Sequence, residues 1–371
     1  MFPILFSISQ LKKRAVRFNT LKLSVVLASC FCAANTLANT LSLTLVHDTS
    51  YVASGGLKEH ATINRTLGIV AYEYRINDST LFFADAQVLK GNNGSDSVGD
   101  LQAFSNIDEA ELTKIYEVWV EKLFYEENLR FKIGQVDANN EFAYAEHAGE
   151  FIHSSMGFSP TVSYFPTYPS PRLSVNAFYS ATQNTQLSIG HYANQNRSFS
   201  NGFTVGQWTQ HIGNITAAIG GWMQSGDIAP LVENEVDESM PPQDASGLFA
   251  TLSGEFSSRS FSAQNGGWFL QYGQSSDTTS EIDTHIGAGI TWYGMNNRKD
   301  DVLGLGISHI TTSPLVASQY KRDETAIELF YRFQLTDTLA LKPDIQFIAN
   351  PAADREAKDA LVLTMRVEFF I

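Results

Sequence analysis

From Thr40 onward, polarity alternates with a period of two residues, the mark of strands whose two faces meet different surroundings. Over 324–334, Thr325, Ile327, Leu329, Tyr331 and Phe333 share one face. Glu324, Ala326, Glu328, Phe330, Arg332 and Gln334 share the other. Leu339, Leu341, Pro343, Ile345 and Phe347 likewise alternate with Ala340, Lys342, Asp344 and Gln346. Leu363, Met365, Val367, Phe369 and Ile371 alternate with Thr364, Arg366, Glu368 and Phe370. About sixteen such runs are readable, at 41–53, 60–76, 79–90, 114–124, 128–138, 173–180, 185–194, 202–209, 214–225, 246–256, 266–274, 284–293, 301–311, 323–335, 338–349 and 359–371. A tilted strand crosses a membrane in about 9–11 residues, so these lengths fit.

Short connections such as 76–78, 125–127, 181–184 and 336–337 alternate with long ones at 91–113, 139–172, 226–245 and 312–322. Aromatic pairs stand near strand ends, at Phe124 and Tyr125, Phe178 and Tyr179, Trp292 and Tyr293, and Phe369 and Phe370. Both features predict an all-β, antiparallel transmembrane barrel with interfacial girdles. The competing reading is a soluble β-sandwich or solenoid. Closure is what suits a barrel to lipid, since every strand N–H and C=O then finds a partner. On this reading the aliphatic and aromatic face meets lipid and the charged face lines a wet interior.

Charged residues are only 17% of the chain, and 25 Lys+Arg stand against 39 Asp+Glu. Such an acid excess argues against a nucleic-acid partner, because a phosphate backbone needs a basic face. Residues 1–38 read as a cleaved secretory leader: Lys12, Lys13, Arg14, Arg17 and Lys22 come first, then an apolar stretch 23–34, then Thr36-Leu37-Ala38 before the cut. A short amphipathic helix is the bland alternative. Leu27-Ala28-Ser29-Cys30 also resembles a lipoprotein box, but the apolar run continues past Cys30. Cleavage after Ala38 removes both cysteines, Cys30 and Cys32, so the exported chain (39–371) holds no disulfide and no thiolate metal ligand.

The most informative hairpin joins 114–124 to 128–138. Glu117, Trp119 and Glu121 lie on one face, opposite Tyr116, Val118, Val120 and Phe124; Arg130 and Lys132 lie on the matching face of the partner. Two carboxylates and an indole thus face two cations. One reading is a sugar-binding wall, with pyranose C–H faces on the indole and hydroxyls on the charged groups. The other is a set of cross-strand ion pairs that brace the barrel and bind nothing. The loop 139–172 carries Phe142, Tyr144, Phe151, Phe158, Tyr164, Phe165 and Tyr168 with four prolines, and is expected to fold into the lumen and narrow it. A cap at the pore mouth or a trimer contact is the alternative.

Enzyme signals are weak. The eight histidines make no metal spacing, no GxSxG elbow occurs, and Ser308 and His309 point to opposite faces, which disfavours a barrel lipid hydrolase. Glu117 and Glu121 beside Arg130 and Lys132 should both stay ionised, unlike a glycosidase acid. No cofactor or metal is expected.

Several ordered blocks resemble the carbohydrate-selective porins of the OprB family. They are Gly55-Gly56, Gly99-Asp100-Leu101-Gln102, Ser105-Asn106-Ile107-Asp108, Tyr116-Glu117-Val118-Trp119-Val120-Glu121, Ile133-Gly134-Gln135-Val136-Asp137-Ala138-Asn139 with Phe142, Phe151-Ile152-His153-Ser154-Ser155-Met156-Gly157, Phe165-Pro166-Thr167-Tyr168-Pro169, the run 341–351 and the run 361–366. The chain departs from the family pattern at Ile371, where Phe is commoner, and at Thr364, where Gly stands. The resemblance implies a sixteen-stranded outer-membrane barrel for passive sugar diffusion, with the loop after Asp137-Ala138-Asn139 folded inward. Glu117, Trp119, Glu121, Arg130, Lys132, Asp137, Asn139 and Phe142 then become the expected substrate path and constriction. The implied partners are permeating sugars, outer-membrane lipid and lipopolysaccharide, the barrel assembly machinery acting on the C-terminal strand, and a homotrimer. A general-diffusion or purely structural barrel is the rival function. The acid excess points to cations or neutral solutes over anions.

Overall fold

A computed structural model describes residues 39–232, 235–236, 240–257, 263–295, 298–317 and 319–371; the expected leader over 1–38 lies outside the described residues. The strands are β1 (Asn39–Gly56), β2 (Thr62–Asn77), β3 (Thr80–Gly91), β4 (Leu112–Phe124), β5 (Leu129–Val136), β6 (Arg172–Thr182), β7 (Thr185–Tyr192), β8 (Phe203–Ile212), β9 (Ile215–Ile228), β10 (Leu231–Val232), β11 (Glu235–Val236), β12 (Gln243–Phe256), β13 (Asn265–Ser275), β14 (Ile282–Tyr293), β15 (Val302–Thr312), β16 (Asp323–Thr336), β17 (Leu339–Ala349) and β18 (Lys358–Phe370). Among the described residues, β1–β9 and β12–β18 close into one antiparallel barrel of sixteen strands, and β10 and β11 form a separate ribbon. The last strand seals against the first, with Asp48 opposite Arg366 and Tyr51 opposite Leu363. Closure leaves the sheet without an edge, the condition for a β-structure in hydrocarbon.

The alternating faces sort as expected. Ile327, Leu329, Ile345, Phe347, Leu363 and Met365 are exposed on the outside, while Glu324, Glu328, Lys342, Gln346 and Arg366 are buried inside. The turns at 78–79, 183–184, 213–214 and 337–338 share one end with both chain ends of the barrel, where Leu43 and Ile371 exchange backbone hydrogen bonds. The connections 92–111 and 137–171 leave from the other end.

Both of these long loops turn into the lumen, and the loop expected over 139–172 does so across its width. The amides of Ile152 and His153 donate to Glu328 on β16 at 2.7 and 2.9 Å. Infolding of the earlier loop, 92–111, was not foreseen. Leu101 and Gln102 amides donate to Glu324 at 2.8 and 3.1 Å, and Gln346 donates to the Phe104 carbonyl at 2.8 Å.

These loops change the character of the interior. Leu67, Ile69, Phe83 and Leu89 point inward and pack with Ile107 and Tyr168 from the two loops. Phe142, Phe158, Val162 and Phe165 pack with Phe178, Phe203 and Phe249 of the wall. The expected charged, wet inner face is therefore corrected: where loops lie on it, the wall is dry and mixes charged anchors such as Glu324 and Glu328 with apolar patches, because that is a protein–protein contact. Phe178 belongs to this inner layer at 1% exposure and not to an outer girdle, whereas Tyr125 and Tyr179 face outward.

Candidate functional site

The wall at β4 and β5 assembles from a break in strand register. Pairing of β3 with β4 shifts between Ala84 and Ala86, so one extra residue of β4 bulges. Tyr116 and Glu117 both turn inward, at 2% and 4% exposure. Placing Tyr116 opposite Glu117 is thus corrected: strict alternation fails at the bulge. Asp85 accepts the Glu117 amide at 2.6 Å and fixes it.

The inward pair anchors the root of the long loop. Glu117 accepts from the Asp137 amide at 2.8 Å and from Asn140 Nδ2 at 2.9 Å. The Tyr116 hydroxyl donates to Asp137, whose other oxygen takes the Asn139 amide at 2.8 Å. Asn139 Nδ2 reaches the Phe142 carbonyl at 3.3 Å, and the Phe142 ring stacks on Phe178 at 5.7 Å. Burial pushes the Asp137 carboxyl up. Glu117, Asp137, Asn139 and Phe142 are thus brought together, all of them buried.

Trp119, Glu121, Arg130 and Lys132 form a second group beside that root. Arg130 Nη1 meets Glu121 at 2.8 Å, and Lys132 Nζ lies 3.5 Å from the same carboxylate. A residue the sequence reading missed, Glu141, completes the group. It takes Arg130 Nη2 at 2.7 Å on one oxygen and the Lys132 ammonium on the other. Although burial pushes Glu141 up, the charges of Lys132 and Arg130 hold it down at about 2. The guanidinium lies 3.6 Å over the Phe178 ring and the ammonium 3.8 Å over the indole of Trp119. Phe83 also stacks on that indole, with centroids 4.9 Å apart, so Phe83 and Lys132 both pack on Trp119. Gly134, opposite Trp119, has φ of 142°, and a Cβ there would stand 2.2 Å from the Val118 carbonyl oxygen. Only glycine admits this approach.

Arg130 and Glu121 keep 26% and 17% of their side chains exposed, against 8% for Glu141 and Lys132. The accessible edge is thus the Arg130 guanidinium over Phe178 beside the Glu121 carboxylate, groups that can exchange hydrogen bonds with hydroxyls. One clue to Glu141 was present in the sequence: two adjacent cations with a carboxylate nine and eleven residues on, in a loop expected to return inward. Ser308, for its part, pairs with His285 at 2.9 Å, and His309 with Thr325 at 2.8 Å, so Ser308 and His309 make no catalytic pair.

A closed sixteen-stranded barrel, apolar outside, with loops folded into a charged and aromatic lumen, defines an outer-membrane porin. Residues 75–230 and 219–370 match the model of the family described as carbohydrate-selective porin, OprB family, and the chain belongs to that family. A sequence comparison with curated proteins returns no match. Solved structures show the same fold. The high-pH structure of Pseudomonas putida OprB has a TM-score of 0.77 at 15% identity, over 90% of this chain and 94% of that one. The low-pH structure of the same protein gives 0.58 at 12%, over 90% and 92%. The trimer form of OmpT from Vibrio cholerae gives 0.58 at 10%, over 91% and 100%. The family is one of diffusion channels and performs no chemical step.

Proposed function

We propose that sugars cross this barrel along the edge made by Trp119, Glu121, Arg130 and Lys132 with Glu141, at the root formed by Glu117, Asp137, Asn139 and Phe142, and that the loop 137–171 is the constriction. The observation that carries this reading is the pair of cations, each on a carboxylate and over a ring, with the Arg130 edge left accessible. Hydroxyls exchange weakly with such groups, so a sugar enters and leaves without being trapped. The rival reading, a braced general-diffusion barrel, is favoured by one fact: Lys132 and both carboxylates already have protein partners.

Planar-bilayer recording separates the two. Sugar passage predicts transient block of the ion current by maltotriose, weakened in Trp119→Ala while the barrel still folds. Bracing predicts unchanged block and an earlier heat transition. Pores that no sugar blocks would overturn the sugar path.

The same proposal includes export on a leader cleaved after Ala38, which mass spectrometry of the mature N-terminus checks. It also includes contact with lipopolysaccharide, insertion by the assembly machinery through β18, and a homotrimer, checked by the mass of the detergent-extracted complex. The end with two-residue turns is assigned to the periplasm, as in barrels of this class.

A further inference from the structure

The loop segment 141–150 does not cross the lumen by the short route. From Glu141 at β5 it passes β8, where the Ala143 amide donates to Gln207 at 2.9 Å. It then meets β12 and β9, where Thr251 donates to the Tyr144 carbonyl at 3.5 Å and Thr216 to Glu146 at 3.3 Å. His147 pairs with the Tyr293 hydroxyl of β14 at 2.9 Å, and the Glu150 carbonyl accepts from Lys342 of β17 at 2.8 Å. This segment therefore coats the inner wall from β5 through β8, β12 and β14 to β17. The rest of the wall, the arc of β18, β1, β2, β3 and β4, is covered at mid-height by loop 92–111 and Tyr168, while its inner-facing Ser42, Thr44 and Glu73 near the short-turn end are only half-buried.

Each end of that arc carries the same chemistry. At one end stands the Arg130 and Lys132 group. At the other, Arg332 Nε meets Glu368 at 2.7 Å and Lys342 Nζ meets its second oxygen at 3.0 Å. Lys342 lies 5.2 Å from the Phe330 ring centroid and Arg332 lies 5.9 Å from that of Phe370. Both groups sit near the strand ends that carry the short turns: Glu121 and Arg130 flank the 125–128 connection, Arg332 and Lys342 flank 337–338, and Glu368 is near the end of β18. Nine residues span at most about 30 Å, which bounds the distance between the two ends of the coating segment. Lys342 is fully buried, but Glu368 keeps 15% and Arg332 7% of the side chain exposed.

We propose that Arg332, Glu368 and Phe370 form a second sugar-contact station, across the short-turn end of the arc β18–β4 from the Arg130 station. This inference rests on the sugar-path reading and adds a site to it. A sugar leaving the first cluster meets an equivalent guanidinium, carboxylate and ring at the same end of the lumen. A second weak station lengthens the sugar's stay in the lumen without a single tight site to trap it.

Single-channel block by maltotriose, added to the short-turn side, tests it on the full barrel. Arg332→Gln and Phe370→Leu are each expected to shorten the blocked dwell time about three- to tenfold, the loss of one charge-assisted hydrogen bond or ring contact. Phe370→Leu keeps the apolar volume, so it decides the matter where Arg332→Gln lowers the yield of folded, heat-modifiable protein. Dwell times within about twofold of wild type in Phe370→Leu, with Arg130→Gln still shortening them, would overturn the second station and leave the sugar path standing. Absence of block in the wild-type channel would overturn both.

Discussion

Arg366 grips Asp48 through two parallel hydrogen bonds, Nε to Oδ1 at 2.7 Å and Nη2 to Oδ2 at 2.8 Å, across the seam where the last strand closes on the first. The same guanidinium reaches Asn106 at 2.7 Å, and Ser105 donates to Asp48 at 2.8 Å. One buried ion pair thus ties barrel closure to the position of the loop 92–111. Such a pair does little for stability against an apolar replacement, but breaking it leaves a charge buried alone.

Arg366→Ala is accordingly expected to lower unfolding stability by about 3–5 kcal/mol. The urea midpoint, followed by gel mobility of unheated samples, reads this directly. Asp48→Leu with Arg366→Met should recover much of the loss, because no unpaired charge remains. A single variant as stable as wild type would show that the seam does not depend on the pair.

Loop 137–171 hangs from Glu328 by two amides, those of Ile152 and His153. Glu328→Ala removes both acceptors while the β16 backbone pairing persists. The expected result is a noisier open channel and faster proteolysis within 150–157, with the barrel still folded. Quiet currents and unchanged cleavage would mean that packing of Phe151 against Phe269 and Phe330 holds the loop without Glu328.

The strands were legible because two solvents impose a two-residue period, and each of the sixteen expected runs overlaps a barrel strand. The Tyr116–Glu117 bulge was not, since one inserted residue barely disturbs a pattern of polarity. The loop 92–111 hid for another reason. Its Asp, Asn and Ser residues look solvated, yet Asp100, Ser105 and Asp108 are buried, Ser105 on Asp48 and Asp108 on Arg65 of the wall. Inward Leu67 and Phe83 likewise carry no sign of the loops that cover them. At the site, the sequence placed the cations against Glu121 correctly but could not show that Glu117 turns away to the loop root. That depends on the bulge. Glu141 lay in the loop, and its approach depends on the chain path through Asn139 and Asn140.

Asp100 is the loop group with the clearest link to pH. Burial first, and the Asp108 charge second, push its carboxyl up to about 6 from 3.8. Its folded value lies above its unfolded value, so its contribution to stability is fullest below 3.8 and declines as pH rises to about 6. Asp100→Asn should therefore stabilise the barrel at pH 8, by up to about 3 kcal/mol, and change little at pH 3.5. Urea midpoints at the two pH values test the difference. Equal shifts at both would show that the ionised carboxylate is not what the fold disfavours there.

Glu141 behaves in the opposite sense. Burial alone would raise it, but Lys132 and Arg130 hold it at about 2, below its usual 4.5. Its contribution is present above 4.5 and is lost only as pH falls toward about 2. The clamp on Arg130 and Lys132 should therefore stay closed from neutrality to pH 4.5, and sugar block with it. Glu141→Gln removes the charge at every pH and leaves two cations facing Glu121 alone. The lumen beside Trp119 then gains about one net positive charge, which attracts anions in a narrow water-filled path. Under a potassium chloride gradient the zero-current potential should move toward anion selectivity by several millivolts, reproducing in the variant at pH 7 what acid produces in the wild type. An unmoved potential would place the conducting path away from Glu141 and, with it, away from Arg130 and Lys132.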